Sequence, residues 1–390
     1  MTVLALFTDL GLAFSDVMLS LEEPGGHTTL PSTGHTRNLG VELAVTPTKL
    51  VRKFFRLSYR GKSGRFLVAG TVSHIKRLIF NIKRVRDFPL DLPESYRSLL
   101  AEDDAVSALH VSCLLTEGEG FKEFEILGVI DNRNFARQFD QNRVLDSLPY
   151  FGETRVAGGG GADLFRWLYQ RGEEYAKRKL GSESTSERSD RTINMVPSLL
   201  LEEDTRSTLR TIRNGVGGYY ESYFLGKDTI EPLDSVLTIF AAIRGKGKNS
   251  SLELRRVFYH RYVSDWLLVL SLFDLPMQVR VGDEVSLPLE QFELFKIPPF
   301  WDAEVEPSWT PSRLALELNT PETFRLTLYR EVDGKELDSK RFAEGYEGRR
   351  LISSKVAGGK VTISVIESSL QYYLERFGSR DPENKVIPIE

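Results

Sequence analysis

MTVLALFTDLGLAFSD, residues 1–16, is the stretch whose reading decides the fold. Thr2 to Phe7 and Leu12 to Phe14 read as two short strands, and Thr8-Asp9-Leu10-Gly11 between them is a turn signal, so a hairpin begins at the second residue. Chain ends ordinarily fray. Here Val3, Ala5 and Phe7 alternate with Leu4 and Leu6, which makes both faces of the first strand apolar. Such a strand must be covered on both sides. A hydroxyl residue at position 2, directly behind a removable Met1 and locked into a sheet, asks for a chemical explanation.

Outward from the hairpin, a Gly-, Pro-, Ser- and Thr-rich loop runs from Glu22 to Gly40, followed by a strand VRKFFRLS from Val51 to Ser58. The next strand, Arg65 to Val72, ends at Ser73, an N-cap residue for a helix with Ile75, Leu78, Ile79, Ile82 and Val85 at helical spacing. A second helix is expected from Pro93 to about Leu115, and a hairpin around DNRN from Phe121–Asp131 and Phe135–Asp140. A strand TRVA then enters a run of glycines, Gly158 to Gly161, ahead of a helix from Ala162 to Lys179. The polar segment Gly181 to Asp190, GSESTSERSD, reads as a flexible surface loop, and Glu202 to Arg213 as a further helix. GGYYESYFLGKD and LDSVLTIFAAI read as a closing strand pair before the boundary at GKGKNSS.

Residues 1–244 thus alternate paired strands with paired helices, which implies two packed sheets between helix layers. Residues 245–390 read as a β-rich extension: RLALEL, TFRLTLYR and KVTISV suit an antiparallel sheet, with a final helix near Ser368 to Phe377. Trp301 and Trp309 lie there among prolines, as a satellite core or a contact surface.

Bulk properties exclude several classes. The 390 residues carry a net charge of -4 with 41% hydrophobic and 27% charged residues, so nothing calls for nucleic acid or an anionic membrane. The single cysteine, Cys113 in HVSCLL, rules out an internal disulfide framework and suits a reducing compartment. The five histidines show no metal-ligand spacing. Met1 to Ser15 lacks a basic leader segment, and the apolar run Trp266 to Phe273 is too short to span a bilayer, so a cytoplasmic protein is expected.

Three polar residues stand where a purely structural reading has no use for them. Asp16 closes the second strand, and Lys53 shares a strand face with Val51, Phe55 and Leu57. A lysine in an apolar row needs a carboxylate partner, and Asp16 is the candidate. With Met1 removed, Thr2 combines a hydroxyl with an α-amine, a group that ordinarily titrates at pH ~7.7–8.0 and can serve as its own base. A nearby ammonium lowers that value further.

The order Thr2, Asp16, Lys53, VAGTVSHIKRLI, AGGGGADLFRWL resembles the proteasome β-subunit family, in particular the bacterial two-ring threonine peptidase type, over roughly residues 1–244. The resemblance implies an α+β fold, a four-layer αββα N-terminal-nucleophile hydrolase sandwich, with the β-rich C-terminal extension beyond it. It implies a threonine peptidase or amidohydrolase in which Thr2 is the nucleophile, Lys53 tunes its amine, Asp16 orients Lys53, and the Gly70 N–H stabilises the oxyanion. It implies no metal or organic cofactor, a peptide or protein substrate, a homo-oligomer of ring form, and an ATP-dependent unfoldase as partner.

The sequence also departs from that pattern. Gly159 stands where the family has a supporting serine, and RNGVGG, Arg213 to Gly218, brings neither the aspartate nor the serine of the later family motif into register. The alternative is a catalytically inactive proteasome-like scaffold that binds protein partners. A third class, a nucleotide sensor using Gly158 to Gly161, lacks the Gly-Lys-Ser/Thr ending of a phosphate-binding loop.

Overall fold

The computed structural model describes residues 3–7, 9–21, 28–35, 46–59, 62–67, 72, 75–76, 80, 109–112, 128–130, 155–158, 161–180, 183–205, 209–225, 230–244, 251–272, 277–280, 284–300, 305–332, 335–345, 351–366, 368–369 and 373. Thr2, Gly70, Cys113, Gly159 and Trp301 lie outside this set, as do most of the helix expected from Ile75 and the strand at Phe135–Asp140. The chain divides into two compact units. One comprises Met1–Leu233, Val263–Leu267 and Ile297–Glu306; the other comprises Asp234–Tyr262, Leu268–Lys296 and Pro307–Glu390.

The first unit opens with β1 (Leu4–Phe7), β2 (Leu12–Asp16), β3 (Met18–Leu21), β4 (Thr29–Leu30), β5 (Gly34–His35) and β6 (Thr46–Leu50). It continues with β7 (Phe54–Tyr59), β8 (Lys62–Leu67), β9 (Leu109–Ser112), β10 (Gly128–Ile130) and β11 (Arg155–Gly158). Helices α1 (Ala162–Leu180), α2 (Thr185–Thr205) and α3 (Arg210–Arg213) follow, then β12 (Tyr220–Leu225) and β13 (Ile230–Pro232). Five of these strands make one antiparallel sheet in the order β11-β1-β2-β12-β13. Leu4 faces Ser15 and Phe7 faces Leu12, and Gly11 closes the hairpin at φ 61°, a region glycine enters without a Cβ clash.

Register decides what each face carries. Ala5, Phe7, Leu12, Phe14, Asp16 and Tyr220 share one face; Leu4, Ala13, Ser15, Glu221 and Tyr223 share the other. The first lies under α1, whose Phe165 and Tyr169 rings sit 6.1 and 4.8 Å from that of Phe7. On the second face the Phe54 ring, at the start of β7, lies 4.0 Å from Tyr223. β7 and β8 pair as a hairpin, Phe54 opposite Leu67. Of the helix expected after Ser73, Ile75, Lys76 and Phe80 are helical, Ile75 buried and Lys76 exposed, and Val72, expected as the end of the preceding strand, is helical as well.

Several sequence expectations are corrected. The segment expected as a loop over 181–190 enters α2 at Thr185 through a capping box: Ser184 N donates to Glu187 Oε2 at 2.9 Å, and Glu187 N to Ser184 Oγ at 3.2 Å. Arg188 and Arg191 then pair with Glu173 of α1 at 2.6 and 2.8 Å, so polar composition there serves a helix–helix contact. The helix expected over 202–213 is the end of α2 followed by the separate, short α3. The helix expected from Pro93 does not reach Leu115, because β9 pairs with β10. The strand expected from Val51 starts at Phe54, since Val51–Lys53 is occupied by contacts to two other segments.

The next strands belong wholly or mainly to the second unit: β14 (Val236–Arg244), β15 (Ser251–Val263), β16 (Trp266–Leu272), β17 (Met277–Arg280), β18 (Glu284–Pro288) and β19 (Glu293–Ile297). After α4 (Pro311–Leu316) come β20 (Thr323–Val332), β21 (Lys335–Gly345), β22 (Ile352–Ala357) and β23 (Lys360–Val365). Its main sheet runs β19-β16-β15-β14-β20-β21, with β17 also on β15. β14 pairs with β15 and, in parallel, with β20, so this strand joins the second unit and the division falls at Leu233, ahead of the boundary expected at residue 244. For the same reason β12 and β14 are not a closing pair. RLALEL is helical, its first four residues in α4 and Glu317 and Leu318 in the 3-10 turn that follows: Thr310 Oγ1 caps α4 by accepting from Arg313 N at 3.2 Å, and Pro311 takes the first position.

Candidate active site

β2 ends at Asp16, and everything in the site is arranged around that carboxylate. Its backbone N–H donates to Val3 O at 3.2 Å, which continues the β1–β2 pairing to the strand end. Its side chain is fully buried, and each oxygen is occupied. Oδ1 accepts from Val3 N at 2.9 Å and from Lys53 Nζ at 2.7 Å, and Oδ2 accepts from Gly217 N at 3.2 Å.

Lys53 reaches Asp16 because the backbone before it is pinned on two sides. β6 pairs with β3, and Val51 N donates to Val17 O at 2.8 Å. Arg52 N donates to Pro298 O at 2.8 Å, and Phe300 N donates to Arg52 O at 2.9 Å. Lys53 Nζ makes a second bond, to Met18 O, at 2.7 Å. Burial pushes the Lys53 ammonium below the ordinary lysine value, while the Asp16 and Glu221 carboxylates pull it back up. The structure therefore brings together two of the sequence candidates, Asp16 and Lys53, as a buried ion pair; Thr2 and Gly70 lie outside the described residues.

A second ionic cluster occupies the other sheet face. Arg52 Nε bonds Glu221 Oε1 at 2.7 Å, Arg52 Nη2 donates to Tyr223 OH at 2.8 Å, and Tyr223 OH donates to Glu221 Oε1 at 2.6 Å. Arg52 Nη1 reaches the carbonyl of Asp265, and Ser15 Oγ lies 3.4 Å from Glu221 Oε2. Burial pushes the Tyr223 hydroxyl pKa upward, with the Arg52 charge opposing it.

A third carboxylate stands behind the diglycine that follows α3. Gly218 N donates to Asp204 Oδ2 at 3.1 Å, and Tyr220 OH donates to Asp204 Oδ1 at 2.7 Å. Gly217 sits at φ +130°, and a Cβ there would fall 2.7 Å from both Asp204 Oδ1 and Ile212 Cδ1, so only glycine lets the backbone pass. Burial raises Asp204 to about 7, against the opposing influence of the nearby Thr211 and Ser32 hydroxyls and of the Tyr220 and Gly218 hydrogen bonds. The diglycine of RNGVGG therefore has a neighbouring carboxylate, supplied from the end of α2 rather than from within the motif.

Sequence reasoning missed Arg52, Glu221, Tyr223, Asp204 and Tyr220. Two signals were available. Glu221 is a lone charge in the aromatic strand YESYFL, and Asp204 is an acid in the last turn of a helix, where the macrodipole disfavours negative charge. Among the described residues no group of His, Cys, Asp and Glu is arranged to hold a metal ion, and no helix is long and apolar enough to cross a membrane. No family model, curated protein or solved structure matches this chain.

Proposed function

We propose that this chain is an N-terminal-nucleophile amidohydrolase of proteasome β-subunit type, a four-layer αββα sandwich with a β-rich extension, cleaving peptide or amide bonds with Thr2. One observation carries the reading: Asp16 Oδ1 holds both the Lys53 ammonium and the Val3 N–H, the peptide nitrogen that joins Val3 to Thr2. In this reading the Lys53 ammonium is the positive charge that keeps the Thr2 α-amine available to accept a proton, and Asp16 holds that ammonium in place.

In the proposed reaction the Thr2 hydroxyl proton passes to that amine as Oγ1 attacks the amide carbonyl. The oxyanion is held by the Gly70 N–H, a contact of the kind whose loss costs ~10²–10³ in rate. The amine returns the proton to the departing nitrogen, and the resulting ester is hydrolysed by water activated in the same way. Asp16 serves as a positioning residue, fixing Lys53 and the Val3 N–H.

The test is acylation of the intact protein by a β-lactone near neutral pH, read by intact mass and peptide mapping. Met1 absent and one adduct on Thr2 are expected, with Thr2→Ala abolishing the adduct and Lys53→Ala suppressing it in a protein still folded by circular dichroism. Wild type lacking Met1 and forming no Thr2 adduct overturns catalysis and favours the inactive scaffold. Light scattering is expected to show a homo-oligomer.

A further inference from the structure

The diglycine between α3 and β12 links two buried carboxylates that belong to different elements. Its consecutive amides point to different acids: Gly217 N to Asp16 Oδ2 and Gly218 N to Asp204 Oδ2. Gly217 packs so closely on the Asp204 carboxylate that no side chain fits between them. Asp204 cannot shift without moving the peptide that donates to Asp16. Asp16 in turn cannot shift without moving its bonds to Lys53 and Val3.

We propose that Asp204 is a positioning residue for the Asp16–Lys53 pair, acting through the Gly217–Gly218 backbone, and that its ionisation tightens the pair. The proposal deepens the amidohydrolase reading and rests on it for its catalytic consequence. Ionised, Asp204 accepts from Gly218 N–H and Tyr220 O–H with full charge; protonated, it gives up one of its acceptor sites. The hydrogen-bonded peptide loosens accordingly, and with it the Gly217 donor to Asp16.

Among the described residues the titratable groups facing Asp204 are few. β12 brings Tyr220, whose own hydroxyl is pushed well up by burial and by the Asp204 charge. β2 brings Asp16, and Lys53 lies one hydrogen bond beyond it. On α3, Arg210 lies over the Trp167 ring, 4.9 Å from its centroid, and Arg213 is exposed. On α2 itself Glu202 and Glu203 are adjacent and buried. With burial setting Asp204 near 7, its ionised fraction rises roughly tenfold between pH 6 and pH 8.

The test follows the Gly217 amide and the Asp16 carboxyl-carbon resonances of the full chain across that range, beside the pH profile of β-lactone acylation. In wild type both resonances are expected to shift together with one midpoint near neutrality. In Asp204→Asn that step disappears, and the wild-type-to-variant ratio of acylation rates rises by up to about tenfold from pH 6 to pH 8. Should Asp204→Asn not fold, Tyr220→Phe serves instead: it removes a donor to the ionised form and moves the midpoint upward. An Asp16 resonance that titrates identically in wild type and variant overturns the proposal. Absent acylation with the Asp204-dependent Asp16 step intact overturns the amidohydrolase reading and leaves the positioning role standing.

Discussion

Asp16→Asn removes one charge while keeping the shape of the side chain, and the consequences follow from three hydrogen bonds. The amide oxygen still accepts from Val3 N–H and Lys53, but the amide nitrogen is turned toward Gly217 N–H, a donor facing a donor. Lys53, 1% exposed, is left with the Met18 carbonyl and no paired charge on that side. Breaking a buried pair by removing one partner costs about 3–5 kcal/mol. For a unit of this size that is a fall in melting temperature of roughly 6–20 °C. The pH dependence has a defined sign. Burial already lowers the folded-state Lys53 value, and loss of Asp16 removes its main opposing influence. The unfolded lysine, at ~10.4, therefore binds a proton that the folded variant releases earlier, so the deficit is largest near neutral pH and shrinks as pH rises toward 10. Lys53→Met in the same chain removes the stranded charge, and the double variant is expected to recover to about 1–2 kcal/mol below wild type. Urea unfolding followed by the fluorescence of Trp167, in the first unit, and by circular dichroism measures each difference. A deficit under about 1 kcal/mol for Asp16→Asn, typical of a solvated pair, refutes the reasoning, as does a double variant that costs the sum of the singles.

Gly217→Ala places a Cβ 2.7 Å from Asp204 and Ile212 at φ +130° and is expected to cost more than about 2 kcal/mol, whereas Gly358→Ala, at φ +56° with nothing within 4 Å, costs only the left-handed strain of about 1 kcal/mol; thermal melts compare them. Arg52→Met removes the guanidinium from the buried Glu221 carboxylate and is expected to destabilise by about 3–5 kcal/mol, read by the same urea titration. Tyr223→Phe, which deletes only the hydroxyl between Arg52 and Glu221, costs about 1–3 kcal/mol.

The hairpin of residues 4–16 and the strand and helix from Arg155 onward were legible because local patterning and packing agree there. Alternation in the first strand matches a sheet covered by α1 on one side and approached by Phe54 on the other. Asp16 and Lys53 were legible for the opposite reason: each contradicts its apolar surroundings, and a contradiction of that kind requires a partner. The rest needed the third dimension. GSESTSERSD has the composition of a loop, and only the reciprocal Ser184–Glu187 bonds and the Arg188 and Arg191 pairs across to α1 make it a helix start. β14 looks in sequence like the companion of β12, but its pairing is decided by β15 and by β20, which lies far along the chain. RLALEL alternates like a strand, and the Thr310-Pro311 start overrides that alternation.

The dipeptide Arg52-Lys53 concentrates what is unusual about this molecule. Consecutive side chains of an irregular segment leave in opposite directions, one to Glu221 on one face of the β2–β12 pair and the other to Asp16 on the second. Two buried ion pairs at one end of one sheet are a poor means of holding it, because apolar residues of similar volume do so at no desolvation cost. Stability alone would not select them. A site that must keep an ammonium fixed next to the start of β1 has a use for both. Lys53 supplies the charge, and Arg52, bonded through its backbone to Pro298 and Phe300 and through its guanidinium to Glu221, Tyr223 and Asp265, holds the segment from which Lys53 projects. On the amidohydrolase reading proposed above, the Arg52 cluster is the support and the Asp16–Lys53 pair the working part. The two are separable in experiment: Arg52→Met should lower stability and Thr2 acylation together, whereas Lys53→Met in the Asp16→Asn background should recover most of the stability and leave acylation suppressed.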